Sequence, residues 1–276
     1  KVRFGAGNRA FAPEDAPYIQ LGEMALVGQG LGPLGQEELD RIATGRKFGF
    51  NFGVEEGVFT LSADTRNADI PDQLYLFAGK LAMPRWDANP VLRAISAGEI
   101  GYDSFGSSAV GVLNRDLEYI LSNRDPRFAT PSPEALDQVT PDGFRAVWEP
   151  ILKTGPIEVL VFGDIDKAAV IDALTTTFGA LPPRETPSAA VLARPVGFPN
   201  GTPTPIKLTH SGEADQAAAV VAWETGGGTA GIRESRRLEI LTQVFNNRLM
   251  DALREQAGAS YAPQVFSKWP LDIDSG

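Results

Sequence analysis

A chain of 276 residues, 43% hydrophobic and 22% charged, can bury a large core and exceeds one average domain, so two domains or one and a fraction are expected. Its formal net charge of -10 argues against a nucleic-acid or anionic-membrane partner, because no run of Lys and Arg forms a basic patch to offset the repulsion. The absence of cysteine excludes disulfides, thiolate nucleophiles and cysteine-bound metals together.

No apolar run approaches the roughly 20 residues needed to cross a bilayer, and Lys1 opens no signal-like segment. The first residue is not Met, and the closing PLDIDSG stops within what reads as a strand. The chain is therefore expected to be a processed or trimmed piece.

In chain order, VRFGAG reads as a strand, and a helix runs from about Pro13 to Val27. FGFNFGVEEG, residues 48–57, alternates aromatics, which suits either a strand packed in the core or the lining of a peptide groove. GVFTLSADT is a half-buried strand with Val58, Leu61 and Ala63 turned inward. A helix opens at Pro71 and closes before Pro84, one or two more occupy 89–123, and another starts with Thr140 as cap and Pro141 in its first turn. Ile157–Phe162 is an apolar, branched strand broken by Gly163-Asp164. From Asp166 the period becomes helical, with Ala169, Val170, Ala173, Leu174 and Phe178 on one face and Gly179 as the stop.

Seven prolines between Pro182 and Pro205 rule out a continued helix or central strand and mark 185–205 as a linker between a domain at 1–184 and a second, incomplete one at 206–276. The second domain is expected to hold a strand in DQAAAVVAWET and the loop GGGT. An amphipathic helix from Ile232 to Gln256 would follow, with Leu238, Leu241, Phe245, Leu249 and Leu253 on one face. Gly258 caps it and SYAPQVFSKW begins another strand. Strands and helices are segregated, so the class is α+β, with an antiparallel-rich sheet packed on helices. Strand, helix and strand open both domains about 200 residues apart, as a duplicated fold would.

IEVLVFGDID with its helix and TFGALPPR, then the linker and RRLEILTQVFNNRLMDALREQAGASYAP, resemble the C-terminal half of M16 family zinc metallopeptidases, the pitrilysin and insulinase group. Residues 123–152 resemble bacterial, often exported members. The resemblance implies two halves, each of two related α+β domains, around a chamber. It also implies zinc on an inverted HxxEH motif in the first domain, and an Arg and a Tyr in the fourth domain that grip the substrate backbone. Residue by residue, that pair falls on Arg254 and Tyr261.

One part of the pattern is missing. His210 is the only histidine and no HxxEH occurs, whereas hydrolytic zinc needs three protein ligands and an open water position. The chain thus resembles the third-domain equivalent plus the start of the fourth. It is expected to bind no metal, to be inactive alone, and to depend on Zn²⁺ carried by another domain or subunit. Its expected partners are that zinc-bearing half and a peptide bound by edge-strand addition, and its expected location is the bacterial periplasm, with the cytoplasm as the alternative.

Each candidate also has a plainer role. Arg254 suits a helix end, where a cation complements the dipole, and Tyr261 suits a packed strand start. His210 fits an exposed loop. GGGT at 226–229 offers amides to an anion but lacks the Lys and spacing of a phosphate loop, so it reads as a turn. GDID at 163–166 reads as a helix cap rather than a metal site, and Glu23, Glu37 and Glu38 as surface or capping acids rather than general bases. At the level of the whole chain the alternatives are a catalytically dead scaffold and a peptide-binding module without chemistry.

Overall fold

A computed structural model of the chain describes residues 1–188, 191, 197–201, 204–258 and 263–273. Two compact units are found. One runs through Ala218 except for Gly197 and Phe198, and the other comprises those two and the chain from Ala219 onward.

The first unit is built on four strands, β1 (Val2–Phe4), β2 (Asn51–Val54), β3 (Phe59–Ser62) and β4 (Ile157–Val159), all antiparallel in the order β2-β3-β1-β4. Period-two alternation gives the sheet one apolar face. Val2 and Phe4 lie opposite Leu61 and Phe59, and all four are buried. On the other face Arg3 pairs with Glu158 at 2.9 Å. The aromatics at 48–57 belong to the core: Phe52 is buried and its ring stacks 6.0 Å from that of Phe59.

Around the sheet are α1 (Ala16–Ala25), α2 (Gln36–Ala43), α3 (Ile70–Ala82), α4 (Ala88–Phe105), α5 (Ala109–Leu121), α6 (Pro133–Leu136), α7 (Pro141–Leu152) and α8 (Lys167–Thr176). Side chains satisfy the orphan amides at several starts. The hydroxyl of Thr140 accepts from Gly143 N at 3.0 Å, and Asp166 Oδ1 accepts from Ala168 N at 2.9 Å and Ala169 N at 3.3 Å.

Trp148 of α7 is fully buried at the centre of the core. Its ring centroid lies 5.0 Å from Phe11, 5.5 Å from Phe52 and 5.7 Å from Phe59. Its Nε1 donates to Tyr18 O at 2.9 Å, so the polar end of the indole is satisfied where no water reaches it. Lys80 of α3 is also buried, and its ammonium donates to the main-chain oxygens of Leu26, Val27 and Gln29 just past the end of α1. A side chain from another helix thus satisfies carbonyls that α1 leaves open.

Three expectations need correction. The strand expected at Ile157–Phe162 pairs only to Val159, plus a reciprocal pair of bonds between Leu160 and Lys1, Leu160 N donating to Lys1 O and the Lys1 amino group to Leu160 O. Past that point β1 offers no partner, and Phe162 is 79% exposed. DQAAAVVAWET (215–225) and the described part of SYAPQVFSKW (263–269), expected as strands, form no ladder among the described residues; a strand needs a neighbour's amides along its whole length. Helix α2 was not anticipated. It buries only Leu39, and QEELDRIA holds too few apolar residues to stand out in the sequence.

The second unit centres on α9 (Ile232–Leu249), which continues into a π-helical turn at Met250–Gln256. Together they cover the predicted helix. Of the predicted apolar face Leu238, Leu249 and Leu253 are half-buried, while Leu241 is 59% and Phe245 39% exposed.

Candidate functional site

Arg254 lies on the π-helical turn that ends α9. There the hydrogen-bond ring widens, and Ala257 N donates to Ala252 O, five residues back, at 3.1 Å. Such turns are rare and concentrate at functional sites. The Arg254 guanidinium is exposed, with Nε 3.5 Å from Glu255 Oε1, a weak pair at that distance and exposure. Gly258, at φ 59°, carries the chain out of the helix, a conformation for which glycine pays no steric cost. Tyr261 lies outside the described residues, so Arg254 is placed and the pair as a whole is not.

The GGGT loop is a socket for an aromatic ring. Trp269 packs against Gly226 and Gly231, and a Cβ added at either glycine would lie 2.6 Å from Cη2 or 2.2 Å from Cζ2 of the indole. Trp269 Nε1 donates to Gly228 O at 3.0 Å, and Gly228 N donates to Pro270 O at 2.8 Å. With these groups engaged, the loop is organised around a side chain of its own unit rather than a bound anion. The signal in the sequence was the spacing of Gly226 and Gly231; the partner, some forty residues on, could not be read from it.

His210 sits in a local turn of the first unit. Its Nδ1 accepts from Gly212 N at 3.2 Å and its Nε2 lies 2.9 Å from Gln216 O. Nδ1 therefore carries no proton and Nε2 does. The acids have structural employment as well. Glu23 Oε1 accepts from Val54 N at 2.9 Å. Glu37 and Glu38 occupy the first turn of α2, where they complement the dipole, and Glu38 pairs with Arg41 at 2.9 Å. Asp166 is a cap, and Asp164 uses its main-chain oxygen to accept from Asn67.

Among the described residues no three or more His, Cys, Asp or Glu are grouped to hold a metal. The residues present do not fit the zinc site that the resemblance implies, since the single imidazole has both nitrogens engaged locally. An open groove of about 620 Å³ runs beside β4, lined by Ile157, Val159, Ile171, Leu174 and Phe178. Arg184 at its margin is committed to Gly155 O and Thr154 O, both at 2.7 Å, and loss of water lowers its pKa. The hydroxyl of Thr175, also on the lining, donates to Ile171 O at 2.9 Å within its own helix, and no carboxylate or imidazole is among the lining residues.

Residues 138–272 match the family described as the peptidase M16 inactive domain. Over that span, a little under half of its length, the chain is similar to an inactive-type M16 domain. Solved proteases share the fold. The periplasmic protease PqqL from Escherichia coli aligns at a TM-score of 0.62 and 15% identity, over 95% of this chain and 29% of that one. The first half of the same protease aligns at 0.56 and 13%, over 94% and 57%. Pitrilysin aligns at 0.50 and 13%, over 64% and 20%. The M16-like chain thus spans between 20% and 57% of the length of these structures. A comparison with curated proteins gives no match. Helices packed on an antiparallel sheet, the α+β class read from the sequence, are common to the chain and these proteases. No helix among the described residues is long and apolar enough to cross a membrane.

Proposed function

We propose that the M16-like chain is a segment of a zinc metalloendopeptidase that binds no zinc itself, completes the active-site chamber and holds an extended peptide with Arg254 and Tyr261. In this assignment residues 1–184 are the third-domain equivalent and 206–276 the start of the fourth, joined by the proline-rich stretch. The observation that carries the proposal is the match of residues 138–272 to an inactive-type M16 domain, a span that contains Arg254, itself on an exposed π-helical turn. A guanidinium and a phenol are both donors. Pointed at one peptide, they would donate to its carbonyl oxygens and fix the scissile bond's register, and donors aimed at a developing oxyanion contribute to rate.

The chain is expected to be inactive alone and to act with a zinc-bearing half, in the same polypeptide or in a separate subunit. The periplasm is the proposed compartment, since PqqL is a periplasmic protease of this fold.

The test is reconstitution with that half. Arg254→Ala should lower kcat/KM for a peptide about 10- to 100-fold, the loss of a hydrogen bond of roughly 1.5–3 kcal/mol from a charged donor, and Tyr261→Phe about 2- to 10-fold, that of roughly 0.5–1.5 kcal/mol from a neutral one, with zinc content unchanged in both. Unaltered kinetics in both variants would remove the clamp and favour a scaffold.

A further inference from the structure

We propose that Trp269, seated in the notch between Gly226 and Gly231, is a positioning residue that sets the Arg254-bearing turn. The inference rests on the peptide-holding role of that turn. Two ties close the chain around it. The inner tie is Asn246 Oδ1, which accepts from Val265 N at 3.1 Å. The outer is the indole clasp, with Trp269 Nε1 on Gly228 O at 3.0 Å and Gly228 N on Pro270 O at 2.8 Å. Thr225 Oγ1 adds a bond to Lys268 O at 2.9 Å. The Arg254-bearing turn lies in the chain between Asn246 and Val265, inside both ties.

The composition of the socket points the same way. Gly226, Gly227, Gly228 and Gly231 carry a conformational cost that other residues would avoid, and Gly228 has φ of 70°. Side chains at 226 or 231 would collide with the ring. The glycines admit the indole, and the indole joins the chain returning from the loop to the entrance of α9. A clamp misplaced by about 1 Å can lose on the order of 100-fold in rate even when no clamp residue is altered. Among the described residues the far end of α9 is joined to the returning chain by the Asn246 bond, and removing the indole takes away the Gly228 O bond and the packing on Gly226 and Gly231 while the Gly228–Pro270 and Thr225–Lys268 bonds stay.

The deciding measurement is amide hydrogen exchange on the whole chain, unaltered and with Trp269→Ala. Exchange should accelerate at least about tenfold at 250–258 and 263–268 while 232–245 of α9 and the first unit keep their rates. Acceleration throughout α9 would make Trp269 a general packing residue and overturn the inference; so would unchanged exchange, or full-rate exchange at 250–258 already in the unaltered chain. If Trp269→Ala fails to fold, Trp269→Phe, which keeps the ring and loses the N–H, must show the same localised acceleration in smaller degree, or the inference falls. In the reconstituted enzyme Trp269→Ala should raise KM more than it lowers kcat, and adding Arg254→Ala should cost less than it does in the unaltered background. Should Arg254→Ala alone change nothing, the clamp falls while the exchange result still decides the clasp.

Discussion

Gly22 opposes a helix rule to a packing constraint. In the middle of a helix, replacing Gly by Ala ordinarily stabilises by about 1 kcal/mol. At Gly22 of α1 the added Cβ would lie 2.1 Å from Trp148 Cζ2, 2.6 Å from Cε2 and 2.8 Å from Cη2. The indole cannot retreat, because Phe11, Phe52 and Phe59 surround it and Nε1 is held by Tyr18 O. Overpacking of this kind costs about 1–3 kcal/mol, and displacing the ring puts at risk a hydrogen bond of about 1 kcal/mol. After subtracting the propensity gain, Gly22→Ala should destabilise the first unit by roughly 1–3 kcal/mol, or lower Tm by about 3–10 °C. Gly101 in α4 is the control. A Cβ there meets nothing within 4 Å, so Gly101→Ala should gain roughly 0.5–1 kcal/mol. Thermal melts followed by near-ultraviolet dichroism, which reports the aromatic core, would compare the two. A Tm for Gly22→Ala equal to or above that of the unaltered chain would refute the packing argument.

Two further outcomes concern stability. Desolvation lowers the Lys80 ammonium to about 8, against the upward pull of Asp40 and Asp87. The unfolded chain keeps that proton to about 10.4, so between these values it binds more protons than the folded one and stability rises with pH. Relative to Lys80→Met, denaturant unfolding of the unaltered chain should gain on the order of 2 kcal/mol from pH 8 to pH 10, and a flat or falling difference would contradict the burial argument. At the start of α8, Asp166→Ala should cost about 1 kcal/mol and Asp166→Asn much less, measured by the same denaturant midpoints; equal losses would mean that the cap bonds to Ala168 and Ala169 contribute little.

Local chemistry is what made much of the fold legible in the sequence. Thr140-Pro141 and Asp166 mark helix starts because a cap and its amides lie within three residues of each other, and the α+β class follows from the order of periods along the chain. The burial of Val58 and Leu61 was readable from the apolar pattern, whereas Phe59, which shares the inner face with Leu61, was not picked out by it. Arg254 could be singled out only through resemblance, since one arginine near a helix end has no distinguishing period or spacing.

The sequence by itself determined most of the helical segments, α2 excepted, the start of the apolar run at Ile157, and that a lone histidine leaves no imidazole pair for zinc. Tertiary structure alone decided the rest. Whether 157–162 or 217–225 becomes a paired strand depends on amides supplied from elsewhere in the chain. Lys80 is spent on the oxygens past the end of α1, and the GGGT glycines serve Trp269, about forty residues away. Periodicity and capping act over a turn or two of chain, whereas a ladder partner, a buried cation's acceptors and a ring's socket are chosen only when distant segments meet.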